Sequence, residues 1–291
     1  GSVADGRYDY ANYSSAPQAG DTETVSNCDN QQMERSVAQY GADYIAITCP
    51  GTWQLAFQGS TEVNVLPADT HSGEFMFWSN RGDESDMTLT RQFDLTGVSG
   101  DVELSYWTWY DIEKDYDYVY VETSLDGQTW QIIRTPGGTD ENPSGNSYGW
   151  GYNGETGGWT QETVDLSDYA GQTVWVRFEY ITDAAVNGEG FALDDISLSA
   201  AGYNTDFEVD EGGWEAEGFV RISNSIPQTY AVSLVKMTQY GAEVQKISLN
   251  ELNLWDGTIE VGGDTQKVVL IVSGLARFTN QPAGYQVGIT R

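Results

Sequence analysis

The sequence contains few imidazole and thiol groups, the nitrogen and sulfur ligands of zinc: one histidine, His71, and two cysteines, Cys28 and Cys49, in 291 residues. A zinc peptidase motif needs two histidines on one helix face with a glutamate between them, so the histidine count excludes that motif in this chain. The cysteines lack the CxxC spacing of a zinc site. We interpret them as one disulfide in an extracellular protein, secreted or at the cell surface, with two free thiols as the alternative.

Positive charge is also scarce. The chain has 13 basic and 44 acidic side chains, which gives a formal net charge of −31, and the basic residues are scattered singly. Such a surface repels phosphate backbones and anionic head groups, so we expect no nucleic-acid partner. The longest aliphatic run, Val268–Val272, is far shorter than the roughly 20 residues of a membrane helix, so we expect no membrane insertion.

Helical periodicity is absent from every window of a dozen residues, whereas 10 Trp, 18 Tyr, 9 Phe and 33 Gly indicate short strands joined by turns. Eight strand candidates occupy residues 74–200, and Val174–Ile181 shows a clear apolar–polar alternation. The pattern predicts an all-β fold with a jelly-roll or antiparallel β-sandwich architecture.

Composition along the chain predicts three parts. Residues 1–50 are rich in Ser, Asn, Gln, Asp and Gly, and we expect an irregular segment there, with one short helix over 30–40 as an alternative. We assign 51–200 to the large sandwich and 201–291 to a smaller C-terminal β-sandwich. The chain begins without a charged and then apolar leader, so we expect it to be a piece of a longer secreted protein.

Acidic residues are concentrated in the predicted sandwich. Asp111, Glu113, Asp115 and Asp117 are spaced by two, so in an extended chain they would share one face and repel one another. Hard oxygen ligands at this density suit a structural Ca²⁺ ion, and we expect no zinc in this part of the protein. A solvated acidic surface is the alternative. The candidate ligands are Asp83, Asp86, Asp111, Glu113, Asp115, Asp117 and Asp195.

Two further features have an ordinary structural explanation. Segment Ser124–Trp130 resembles an Asp-box turn that is one residue short, and a single copy predicts a hairpin. His71 lies in a polar turn, where a surface role is expected rather than metal ligation.

Four segments in order resemble one known family. They are Trp78–Asp83, Trp109–Glu113, Asp115–Tyr118 and Gly188–Ile196. Together they resemble the non-catalytic, MAM-like β-sandwich that follows the protease domain in the immune inhibitor A family of secreted bacterial metallopeptidases. The family's HExxH zinc segment has no counterpart here. The resemblance therefore implies a chain that carries only accessory β-domains and is not itself an enzyme.

We therefore expect a calcium-stabilised accessory or binding region of a larger peptidase, which serves stability or engages a substrate or surface. Two alternatives remain at this stage. One is a carbohydrate-binding or adhesive module that presents aromatic rings, with a protein or glycan ligand. The other is a glycoside hydrolase using paired carboxylates. The candidate rings for sugar binding in the first alternative are Trp107, Trp109, Trp150, Tyr152 and Trp159. The sequence indicates no oligomeric state.

Overall fold

The computed structural model describes residues 20–291, and it confirms the all-β prediction. Every regular element in this range is a strand except two short 3₁₀ helices, Ser167–Tyr169 and Ser199–Ala201. Within the same range, no helix has the length and apolar character needed to cross a membrane. The described residues form two compact units: a sandwich unit, Ala68–Asn224, and a flanking unit built from residues 20–67 together with Ser225–Arg291.

The sandwich unit contains all eight strands predicted between residues 74 and 200, and three further short ones. Its strands are β6 (Met76–Trp78), β7 (Asp86–Asp94), β8 (Glu103–Asp111), β9 (Tyr118–Ser124), β10 (Gln131–Ile132), β11 (Thr160–Asp165), β12 (Thr173–Ile181), β13 (Gly190–Leu198), β14 (Tyr203–Thr205), β15 (Glu215–Glu217) and β16 (Val220–Ile222).

These strands form two antiparallel sheets. The orders are β10-β9-β12-β7-β15 and β11-β8-β13-β6-β16, with β14 added beside β13. Inward-facing side chains of both sheets form one continuous apolar core. In β12 the side chains of Val174, Val176, Phe178 and Tyr180 are fully buried while those between them are partly exposed. The period-two alternation in the sequence therefore identifies the buried face of this strand.

The flanking unit is assembled from both ends of the described chain. Its strands are β1 (Glu23–Val25), β2 (Gln31–Val37), β3 (Asp43–Ile47), β4 (Gly51–Gly59), β5 (Glu62–Asn64), β17 (Ser225–Pro227), β18 (Tyr230–Thr238), β19 (Gly241–Ile247), β20 (Leu254–Val261), β21 (Thr265–Gly274) and β22 (Ala283–Thr290). They form sheets ordered β1-β3-β21-β18-β19 and β2-β22-β4-β20, and the pair β17-β5.

The domain boundaries differ from those predicted. Residues 31–37, expected to be irregular or helical, form strand β2, and residues 51–67 belong to the flanking unit rather than to the sandwich. Residues 201–224 belong to the sandwich unit, so the C-terminal part is not a domain by itself. The reason is long-range pairing: β2 pairs with β22, with Gln31 opposite Ile289, and composition carries no signal for such a partner. The first 19 residues of the predicted N-terminal segment lie outside the described residues.

The predicted disulfide is confirmed. Cys28 and Cys49 are bonded to each other, with their Cα atoms 6.1 Å apart. Both are buried and contribute to the apolar core of the flanking unit. The bond joins the segment before β2 to the segment after β3. It closes a loop between two residues that are 21 positions apart in sequence.

Candidate metal centre

Three carboxylates converge from the segment after β8, the start of β9 and the segment after β12. Glu113 follows β8 by two residues, Asp117 immediately precedes β9, and Asp183 follows β12 by two residues. Because β12 pairs antiparallel with β9, with Ile181 opposite Tyr118, the end of β12 lies beside the start of β9. One carboxylate oxygen from each acid lies within 4.8 Å of those from the other two. We call Glu113, Asp117 and Asp183 the three-acid cluster.

Asp117 is the fully buried member of the three-acid cluster. The backbone N–H of Asp183 donates to its Oδ1 at 2.9 Å, and the hydroxyl of Tyr180 donates to its Oδ2 at 3.3 Å. Burial raises the pKa of Asp117 to about 6, and the neighbouring carboxylates of Glu113 and Asp183 contribute to the rise. The protein therefore holds a buried carboxylate beside two like charges, an arrangement that a bound cation would stabilise.

The carboxylate of Glu113 has a buried oxygen whose burial is not explained by hydrogen bonds. Its Oε2 atom is buried and has no hydrogen-bond partner in the described part of the chain. Burial raises the pKa of Glu113, and the charges of Asp183 and Asp83 raise it further. Buried carboxylate oxygens in folded proteins nearly always accept a hydrogen bond or bind a cation. A buried acceptor that has no protein donor and lies among other acids is suited to binding a cation.

The loop between β6 and β7 borders the three-acid cluster. The N–H of Glu84 donates to the carbonyl oxygen of Asp183 at 2.6 Å, which fixes this loop against the residues after β12. Asp83 is close enough for its charge to raise the pKa of Glu113. The Oδ1 atom of Asp83 accepts a hydrogen bond from Asn187 at 2.7 Å. Asp83 therefore lies at the edge of the cluster rather than within it.

The other carboxylates in the predicted row are not gathered with Glu113 and Asp117. Strand β8 ends at Asp111, and the residues before Tyr118 form a turn in which the N–H of Asp117 donates to the carbonyl of Glu113 at 3.1 Å. Asp115 has a left-handed backbone, with φ of 71°. The spacing argument assumed an extended chain, and the turn removes the common face.

Two further predicted ligands lie elsewhere. Asp86 begins β7, opposite Ile181, and its side chain is exposed. Asp195 lies on β13, where it contacts His71 instead of the three-acid cluster. Asp183, in contrast, was not predicted. It lies two residues after a predicted strand, but only the pairing of β12 with β9 reveals its neighbours.

The aromatic side chains considered for sugar binding are occupied by contacts within the protein. Trp109 and Tyr152 are buried. The indole N–H of Trp150 donates to the carbonyl of Thr135 at 2.9 Å, and the Arg134 guanidinium lies 4.5 Å from the Trp150 ring centre. The two remaining rings, Trp107 and Trp159, pack around His71. These contacts favour the interpretation that the rings serve packing.

Comparison with known proteins agrees with the resemblance found in the motifs. The profile of the immune inhibitor A-like MAM domain family matches residues 56–224. The chain is 34% identical over 159 residues, or 54% of its length, to the pre-pro-metalloprotease PrtV of Vibrio cholerae. It is 30% identical over 161 residues, or 52% of the chain, to bacillopeptidase F of Bacillus subtilis. Immune inhibitor A of Bacillus thuringiensis is 34% identical over 171 residues, or 56% of the chain.

The matched regions form only a small part of these relatives. They span 16% of the Vibrio cholerae protein, 10% of bacillopeptidase F and 24% of immune inhibitor A. The family match covers the whole sandwich unit, including the β8–β9 turn and the residues after β12 that form the three-acid cluster. The chain belongs to the immune inhibitor A-like MAM domain family.

Proposed function

We propose that the sandwich unit is a non-catalytic accessory module of a larger secreted protease, and that a Ca²⁺ ion bound by the three-acid cluster stabilises it. The observation that carries the calcium site is the buried, unpartnered Oε2 of Glu113 beside the buried Asp117. The cluster contains oxygen donors only, which is the ligand chemistry that Ca²⁺ prefers.

A Ca²⁺ ion at this place would join segments that are distant in sequence. Glu113 and Asp117 belong to the turn before β9, whereas Asp183 follows β12 about 70 residues later. Water and backbone carbonyl oxygens would complete the six to eight ligands of the ion. Because Ca²⁺ would bind the folded arrangement and not the unfolded chain, it would stabilise the unit by mass action.

An extracellular location is supported by the disulfide of the flanking unit, since such bonds persist in oxidising compartments. The accessory role is supported by the small share of each relative that the chain matches. We propose that the module contributes stability or binds a protein or glycan on a substrate or surface, while catalysis belongs to another part of the parent protein.

Thermal unfolding tests the calcium site. We expect the melting temperature of the chain to fall by several degrees in a chelator and to recover with Ca²⁺, but not with monovalent salt at matched ionic strength. Asp183→Asn should abolish the Ca²⁺ response. Asp115→Asn is the matched control, because it removes the same charge from the nearby turn outside the cluster, and it should keep the response.

Two results would contradict the proposal. Recovery with monovalent salt alone would mean that screening of the acidic surface is the whole effect. An equal loss of the Ca²⁺ response in Asp183→Asn and Asp115→Asn would mean that overall charge, and not the three-acid cluster, determines ion binding.

A further inference from the structure

A separate group of metal-binding side chains in the sandwich unit consists of His71, Asp194 and Asp195. One potential ligand atom from each lies within 4.8 Å of those from the other two. Asp194 is fully buried, whereas His71 and Asp195 are about one quarter exposed. Unlike the three-acid cluster, this group includes a nitrogen donor, and so it differs in the metals that it would prefer.

A β-bulge brings the two adjacent aspartates to the same loop. Successive side chains of a regular strand point to opposite faces. Here the pairing of β13 with β8 shifts register between Asp194 and Ser197, and Asp195 has φ of 47°. Both carboxylates consequently reach Ser72: its N–H donates to Asp194 Oδ2 at 3.1 Å, and its hydroxyl donates to Asp195 Oδ1 at 3.0 Å.

The imidazole of His71 is held in a fixed orientation. Its ring stacks on Trp107 with 3.9 Å between ring centres and 17° between the planes. The edge of Trp159 closes another side, with ring centres 5.8 Å apart. The Trp159 indole N–H donates to the carbonyl of Asp69 at 2.7 Å, which anchors the loop that carries His71. His71 Nδ1 lies 2.6 Å from Asp195 Oδ2. His71 therefore lies in a partly exposed turn, as the sequence predicts, and its ring is held there by two indole rings and a carboxylate.

The arrangement does not suit a nucleophilic serine. The hydroxyl of Ser72 hydrogen-bonds to Asp195 rather than to the imidazole that would have to remove its proton. Two carboxylates and one imidazole are, in contrast, common ligands of borderline divalent metals. The hydrogen bonds from Ser72 would orient the carboxylates in the manner of outer-shell partners of a metal site.

We propose that His71, Asp194 and Asp195 bind a divalent transition metal of the Zn²⁺ and Co²⁺ class, with His71 Nδ1 and one oxygen of each carboxylate as ligands. The metal would replace the present contact between His71 and Asp195, and water would fill the remaining position. This proposal revises the expectation that no zinc binds in this part of the protein. It concerns a structural ion and implies no catalysis.

The composition of the chain makes this proposal easy to test. His71 is the only imidazole in the sequence, and both cysteines are used in the disulfide. A metal ion bound through an imidazole or a thiolate must therefore be bound by His71. Trp107, in direct stacking contact, provides a fluorescent reporter because a paramagnetic ion at His71 would quench it.

The experiment is a Co²⁺ titration of the full chain, freed of metals and then saturated with Ca²⁺, followed by visible absorption and tryptophan fluorescence. We expect saturable binding with the intense visible bands of four-coordinate Co²⁺ and with quenching. Zn²⁺ should displace Co²⁺ and shift the single pair of imidazole nitrogen resonances in NMR spectra. His71→Gln should abolish the bands, and Asp195→Asn should weaken binding by at least about tenfold.

Two controls keep the result specific. Asp183→Asn should bind Co²⁺ like the unmodified chain, which separates this site from the proposed calcium site. Trp107→Phe should retain the visible bands with less quenching. Unchanged Co²⁺ binding in His71→Gln would overturn the proposal. The absence of saturable binding in the unmodified chain, with imidazole resonances that Zn²⁺ does not shift, would also overturn it.

Discussion

Two turns at opposite ends of β9 place their aspartates in contrasting environments. Asp126, in the hairpin between β9 and β10, is exposed and accepts N–H groups of Gln128 and Thr129 at 2.8 and 2.7 Å. These hydrogen bonds lower its pKa to about 2. Asp117, before β9, is buried among like charges, and its pKa is raised to about 6.

The difference shows what makes an acid-rich turn a candidate cation site. The turn at Asp126 supplies its own donors from residues two and three positions away, so the negative charge is already stabilised. At the three-acid cluster the donors are too few, and Glu113 Oε2 has none in the described part of the chain. Segment 111–117 contains four acids, whereas Asp126 is the only acid in segment 124–130. The number of like charges and the supply of hydrogen-bond donors both distinguish the two turns.

The largest expected effect comes from Asp117→Asn. In Ca²⁺ the variant should melt several degrees below the unmodified chain, because it loses a metal ligand. In a chelator at pH 8 it should melt above the unmodified chain, because it removes a buried charge that Glu113 and Asp183 repel. Calorimetry of both proteins with and without Ca²⁺ measures this reversal. If Asp117→Asn melts below the unmodified chain under both conditions, the proposed difference between the environments of Asp117 and Asp126 is contradicted.

A smaller effect is expected from Asp126→Ala, which removes the acceptor of two backbone N–H groups. The melting temperature should fall by a few degrees, equally with Ca²⁺ and with chelator. Because the folded-state pKa is lowered, the contribution of Asp126 is present above its ordinary value near 3.8 and is lost as the pH falls through about 2. Melting curves from pH 7 to pH 2 test this. Asp126→Asn keeps an acceptor and should lower the melting temperature less. A fall in melting temperature that depends on Ca²⁺ would contradict the view that this turn stabilises its own charge.

The smallest effect concerns Glu122, on β9 between the two turns. Burial raises its pKa to about 7, Glu179 and Asp86 raise it, and Arg177 opposes the rise. A raised folded-state pKa makes stability decline as the pH increases from about 4.5 to about 7. Glu122→Gln should therefore unfold at a slightly higher denaturant concentration than the unmodified chain at pH 8.

At pH 4, where Glu122 is largely protonated in both folded and unfolded states, the advantage of Glu122→Gln should be absent. Thr90→Ser, on strand β7 where Thr90 pairs with Arg177 of β12, is a control without a titrating group, and its effect should not vary with pH. An advantage of Glu122→Gln that is equal at both pH values would show that the charge of Glu122 is not its source.

Much of the sandwich unit could be predicted from local patterns. The eight strands between residues 74 and 200 were identifiable because alternation and glycine-rich turns are encoded within a few residues. The flanking unit was less predictable. Strand β2 has the sequence of a polar segment, and its partner β22 lies about 250 residues later, beyond what any local pattern reports.

The candidate metal centre could be predicted only in part for the same reason. The acidic segment 111–117 pointed to Glu113 and Asp117, but a turn replaces the extended chain that would have aligned Asp111 and Asp115 with them. Asp183 follows a strand in a region of ordinary acidity. It became recognisable only through the pairing of Ile181 with Tyr118.

By itself, the sequence determined the all-β class and the family and favoured a disulfide between the only two cysteines, because each depends on residue type, period or order along the chain. The tertiary structure decided which carboxylates meet, which stay solvated and where the only histidine lies. Those outcomes depend on strand pairing and on a bulge at Asp195 that turns adjacent side chains toward one loop. Electrostatic environments arise from groups far apart in sequence, and only the folded chain brings them within range of one another.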